Sequence, residues 1–171
     1  ASLPVGDYQI TATYSGDDNH ASATAAPVSL EVTRAATALT ASAASGDITY
    51  GDSDTLSYAG LTLTGPTAAT GTVTFTDAGG TVLCTATLPA TSCTTSASLP
   101  AGDYTVTAQY SGDANHEGGS AAPFTLRVGT QGTTGMTAAA TPSSTPYGTP
   151  GTLSHAGLPL AGATAATGTV T

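Results

Sequence analysis

A long internal repeat constrains this chain more than any other feature. The segment ASLPVGDYQITATYSGDDNH, Ala1 to His20, returns as ASLPAGDYTVTAQYSGDANH, Ala97 to His116, 96 residues further on. The correspondence continues from Ala25-Ala26-Pro27-Val28-Ser29-Leu30 to Ala121-Ala122-Pro123-Phe124-Thr125-Leu126. A second pair covers the other end. Tyr50-Gly51 and Thr55-Leu56-Ser57 return as Tyr147-Gly148 and Thr152-Leu153-Ser154, and Ala68 to Thr74 returns as Ala165 to Thr171. That offset is 97, so one residue is inserted near the junction. A period of about 96 residues suits one β-sandwich domain and is too long for a solenoid repeat.

The phase divides the chain into three. Residues 1–35 match the back of the repeat, 36–130 form one whole copy, and 131–171 match the front. The expectation is one complete and two partial copies of a tandem repeat. A partial copy left alone exposes unpaired strand edges. Joining Thr171 to a following Ala1 would lack the counterpart of Phe75 to Ser96, so a longer parent chain is expected. No leader is visible, but a chain that starts inside a repeat gives that observation no weight.

Within the whole copy, alternation at period two predicts strands near Thr37 to Ala43, with Leu39 inward, and near Thr55 to Leu63. Val73 and Phe75 alternate with Thr before Asp77-Ala78-Gly79-Gly80, which reads as a hairpin turn because Gly supplies positive φ. Thr81 to Leu88 returns, Pro89-Ala90-Thr91 turns again, and Cys93 to Leu99 runs on. In Tyr104 to Tyr110 the residues Tyr104, Val106, Ala108 and Tyr110 share one face. Phe124, Leu126 and Val128 alternate likewise. Nothing reads as an amphipathic helix, and the fold class is all-β.

Charge limits the partners. Arg34 and Arg127 are the only Lys or Arg residues against 11 acids, giving a net charge of −9. No basic patch exists to neutralise phosphates, so nucleic acid is not an expected partner. Repulsion argues against anionic lipid, and no apolar run approaches the length of a membrane helix. A Lys–Asn isopeptide cross-link would need an amine this chain lacks.

Leu99-Pro100-Ala101-Gly102-Asp103-Tyr104 resembles a tyrosine corner, in which a Tyr hydroxyl bonds back to nearby backbone. Leu3 to Tyr8 repeats the feature, so Tyr8 and Tyr104 are its two candidates. Together with YSGDxNH and GTVTFTD, these residues resemble the bacterial immunoglobulin-like repeats of large secreted and surface proteins. The resemblance covers nearly the whole chain. It implies tandem immunoglobulin-like sandwiches in an extracellular protein, and leaves function open among adhesins, stalks, filaments and accessory modules of enzymes.

Cys84 and Cys93 are the only cysteines. An even count suggests a disulfide between adjacent strands and an oxidising compartment, against two buried thiols or a metal or redox site. Asp17, Asp18, Asp113, Asp52 and Asp54 are calcium candidates, since spaced acids on end loops can supply oxygens. Against this, Asp and Asn also bond their own backbone in turns. Asp18 becomes Ala114, and Asp52-Ser53-Asp54 becomes Thr149-Pro150-Gly151, so no charge-rich site repeats. No cofactor is expected. His20 and His116 lack a second His or Cys beside them and suit loop hydrogen bonds. His155 stands where the earlier copy has Tyr58. No Ser lies in a nucleophile-elbow pattern, so no catalytic residue is nominated. Without Trp, sugar stacking would fall to Tyr14 and Tyr110, which the alternation turns inward. Thr on outward positions suits strands, and with Pro142, Pro146 and Pro150 it also permits O-glycosylation.

Short linkers, Val32 to Leu39 and Val128 to Met136, predict a semi-rigid rod. The expected role is a non-catalytic structural repeat, a stalk or filament module whose partners are neighbouring repeats, with lateral association into fibres. The alternative is an adhesin or carbohydrate-binding accessory module acting through end loops such as Tyr110 to Ser120. A binder would vary one loop sharply, whereas the two YSGDxNH loops are nearly identical.

Overall fold

The computed structural model describes residues 3–133, 135–158 and 167–171, and every element among them is a β-strand. The first segment holds β1 (Gly6–Ile10), β2 (Thr13–Tyr14), β3 (Ala23–Thr24) and β4 (Val28–Val32). The central domain follows with β5 (Thr40–Ala43), β6 (Asp47–Thr49), β7 (Thr55–Ala59), β8 (Thr72–Asp77) and β9 (Val82–Thr87). It closes with β10 (Ser92–Thr94), β11 (Gly102–Tyr110), β12 (Gly119–Ser120) and β13 (Phe124–Gly129). The last segment contributes β14 (Thr137–Thr141) and β15 (Thr152–Ala156).

Two sheets form the central domain. One has the order β10-β7-β5, and the other β6-β13-β11-β8-β9 with β12 added beside β11. Pairing is antiparallel except for β6, which runs parallel to β13. The chain therefore changes sheets between β5 and β6. Asp54 makes this crossing specific, because its buried carboxylate accepts the Gly46 amide at 2.9 Å and the Ser45 amide at 3.2 Å.

Alternation decides what the sheets bury. Leu56 and Tyr58 on β7 face Val73 and Phe75 on β8 and Val106, Ala108 and Tyr110 on β11 across one core, with Leu126 and Leu39 beside them. Leu56, Phe75, Val73, Val106 and Leu126 have no solvent exposure. Burial of each such large side chain stabilises the fold by about 1.5–3 kcal/mol. The intervening Thr74, Thr105 and Thr107 point away from this core, where their β-branching still favours the strand.

Several strands are shorter than their patterns predict. The segment from Thr55 ends at Ala59, because Gly60 takes φ +97° and turns the chain. The segment from Cys93 ends at Thr94, although Thr95 still donates its amide to the Asp54 carbonyl at 2.9 Å. Thr37 to Leu39 precede β5, although Leu39 is buried as expected.

The flanking segments keep the register of the central domain. Tyr8 pairs with Leu30 as Tyr104 pairs with Leu126, and Ala138 pairs with His155 as Ala41 pairs with Tyr58. Their apolar faces are exposed. Leu153 is 84% exposed where its counterpart Leu56 is buried, and Tyr14 is 47% exposed where Tyr110 is buried. Tyr14 therefore does not turn inward as its alternation suggested. Side-chain direction follows local backbone, but burial needs a facing sheet, and these segments have none among the described residues.

Candidate functional site

The loop end of the central domain is organised around one carboxylate. Asp113 lies just beyond β11, within Ser111-Gly112-Asp113-Ala114-Asn115-His116. Its side chain accepts the amides of Asn115 and His116, each at 2.8 Å, and the His116 Nδ1 lies 2.9 Å away. Such a short-range fan is the Asx turn that Asp favours in loops. The same carboxylate also accepts the Thr70 amide at 2.8 Å, from the loop before β8. The Tyr110 hydroxyl donates to the Thr70 carbonyl at 2.7 Å. Two loops distant in sequence are thereby joined at one end of the sandwich.

Electrostatics follow from these contacts. Burial pushes the Asp113 carboxyl up, but the amides of Thr70 and Asn115 and the His116 ring outweigh it and hold the group well below the usual carboxylate range. Burial, reinforced by the neighbouring Asp113 charge, pushes the Tyr110 hydroxyl up to about 12. Tyr110 is thus a buried neutral donor and offers no open ring for stacking.

The counterpart in the first segment keeps the local half of this pattern. Asp17 accepts the Tyr14 hydroxyl at 2.7 Å, the Asn19 amide at 2.9 Å, and meets His20 Nδ1 at 2.8 Å. The Tyr14 bond, then those from His20 and Asn19, draw its carboxyl down to about 2. Both His residues therefore take part in loop hydrogen bonds.

The five acids named as calcium candidates are not brought together. Asp17 and the exposed Asp18 lie in the first segment, Asp113 at the loop end of the central domain, and Asp52 and Asp54 at the opposite end of the same sandwich. No group of three or more His, Cys, Asp or Glu side chains suited to a metal occurs among the described residues. Asp54 is 4% exposed and bonds Ser45, Gly46 and Thr55 amides. Asp113 and Asp54 thus organise turns with the oxygens that a hard cation would require. The Ser111 hydroxyl accepts the Thr72 amide and donates to the Gly112 carbonyl, so it is not directed at His116.

The tyrosine corner of the central domain sits at the other end, and the first segment has a corner of its own. Tyr104 Oη donates to the Pro100 carbonyl and Tyr8 Oη to the Pro4 carbonyl, each at 2.7 Å. Cys84 and Cys93 are joined by a disulfide with a Cα separation of 5.9 Å. Their strands are not hydrogen-bonded neighbours in one sheet, as the spacing suggested. Cys84 is on β9 and Cys93 on β10, so the bridge ties the two sheets together at one side of the sandwich. Thr70 and Asp54 escaped sequence reasoning as structural partners. The only signal for Thr70 was its place in the repeated Ala-Ala-Thr-Gly-Thr-Val-Thr motif.

Two antiparallel-dominated sheets, a parallel strand added at one edge, a cross-sheet disulfide and a tyrosine corner define an immunoglobulin-like sandwich domain. The chain belongs to the bacterial Ig-like domain (group 3) family, whose model matches residues 39–129. No curated protein and no solved structure matches the chain. Domains of this family are typical of surface proteins, and with the Cys84–Cys93 disulfide this indicates an extracytoplasmic protein.

Proposed function

We propose that this chain is part of a tandem array of about 96-residue immunoglobulin-like repeats, one complete and two partial, that acts as a non-catalytic stalk or filament module outside the cell. One observation carries the reading: Asp17 and Asp113 hold the same short-range contacts in loops 96 residues apart. A loop kept for its own geometry suits a spacer, whereas a ligand-binding loop diverges in the residues it presents. The short linker between β4 and β5 adds to this, since it limits bending between segments. Neighbouring repeats are then the principal partners, and Thr-rich strand edges supply surfaces for lateral association.

Electron microscopy of the native protein tests this. Rods or fibres of serially repeated domains are the expected result. Discrete particles in which this chain flanks a catalytic or ligand-binding domain would replace the stalk with an accessory role.

A further inference from the structure

The linker between β4 and β5 does not simply pass by the central domain. The Ala35 amide donates to the Asn115 carbonyl at 2.8 Å, and the Glu117 amide donates to the Ala35 carbonyl at 2.9 Å. Ala35 and His116 thereby form a parallel β-bridge. Asp113 prepares this contact, because it holds the Asn115 and His116 amides from behind and leaves the Asn115 carbonyl and Glu117 amide for the linker.

Two further observations converge on the same place. Gly119 lies under the linker, where an added Cβ would come within 2.5 Å of Thr37 Oγ1. A side chain there would displace the Thr37 hydroxyl from its place over the loop. A cleft of about 380 Å³ also opens between Leu3, Pro4 and Val5 of the first segment and Pro66, Thr67 and His116 of the central domain. The tyrosine-corner end of one segment thus faces the loop end of the next.

We propose that the Ser111–Gly119 loop is a docking surface whose partner is the entering linker, Thr33 to Thr37, and that this contact fixes the direction of the preceding segment. Recognition is through backbone, so it tolerates any linker residue that keeps an amide proton, and excludes proline at position 35. The first segment carries an internal comparison. Its loop keeps the Asp17 contacts to the Asn19 amide and the His20 ring, yet neither the Asn19 carbonyl nor the Ala21 amide makes a backbone hydrogen bond among the described residues. Such a joint would serve a stalk or an accessory module alike.

Amide hydrogen exchange and residual dipolar couplings on the full chain test it. The Ala35 and Glu117 amides should be protected at least about tenfold beyond Ala21, with couplings from β1 and β4 fitting the same orientation as those from β11 and β13. Unprotected Ala35 and Glu117 amides, or two independent orientations, would overturn the proposal. Ala35→Pro removes one donor. Glu117 protection should then fall about tenfold, while the Ala121 amide, bonded to the Ala108 carbonyl at 2.9 Å, keeps its own. Undiminished Glu117 protection in that variant would show that the bridge does not hold the joint.

Discussion

The carboxylate of Asp113 accepts the backbone amide of Thr70 at 2.8 Å, across 43 residues of chain. This bond separates the central loop from its counterpart in the first segment, where Asp17 has only short-range partners. Asp113 is well shielded, with its side chain 13% exposed against 54% for Asp17. Hydrogen bonds to a charged group in such a setting contribute more than neutral ones. Asp113→Ala should lower the stability of the central domain by about 1.5–3 kcal/mol, because it removes the charged acceptor shared by the Thr70, Asn115 and His116 amides. Asp17→Ala should leave that domain unchanged. Urea titrations followed by circular dichroism would measure the difference.

The same residue predicts an acid limb. Its folded-state pKa is depressed, so as the pH falls the unfolded chain binds the proton first. The contribution is therefore complete above the ordinary carboxylate value of about 4 and is lost progressively below it. Denaturation midpoints should fall between about pH 4 and pH 2. Asp113→Asn should be less stable at neutral pH and show a shallower acid slope. An unchanged slope in the variant would assign the acid sensitivity to other carboxylates.

The disulfide closes a ring between residues nine apart in sequence, and it spans the two sheets. In the chain-entropy model, so short a ring is worth about 2.5–3 kcal/mol. Replacing Cys84 and Cys93 together by Ala should reduce stability by about that amount and raise the exchange rates of β9 and β10 amides first. A uniform rise across β11 and β13 as well would mean that the bridge supports the whole sandwich.

The tyrosine corner offers a more local test. Tyr104→Phe removes only the hydroxyl that meets the Pro100 carbonyl at 2.7 Å. The expected cost is about 1 kcal/mol in thermal or urea unfolding. Tyr8→Phe should leave the central domain's unfolding unaltered, since its bond is to Pro4 in the first segment.

What could be read from the sequence divides along physical lines. Alternation in Tyr104 to Tyr110 identified its buried face because strand periodicity is local, and the three later residues of that face are buried. The tyrosine corner was legible because its partner is four residues away. Asp54 was not, since its partners Ser45 and Gly46 lie across a turn and its carbonyl meets Thr95 from another strand. Its buried position turns a surface-like acid into a turn-holding group. The disulfide pair was legible from the count, but not its crossing between sheets, because spacing alone does not say on which sheet β10 lands. Tyr14 shows the limit most clearly. It repeats Tyr110 in sequence and remains exposed, since burial depends on what is packed opposite.

Gly60 allows that long-range dependence to be tested at a single atom. Its φ of +97° already disfavours any other residue, and an added Cβ would overlap the Ala38 carbonyl oxygen. That carbonyl belongs to the residue before Leu39, which is 7% exposed in the core. Gly60→Ala must therefore either strain the turn or push Leu39 away from its neighbours. Gly65 is the control, with φ +84° and no atom within 4 Å of the place a Cβ would occupy. Gly65→Ala should incur the backbone term alone, about 1–2 kcal/mol. Gly60→Ala should exceed it by about 2 kcal/mol or more, as the clash is with main chain and has no rotamer escape. Equal losses in paired thermal melts would mean that Ala38 yields without disturbing Leu39, and that the close approach is not part of what holds the core.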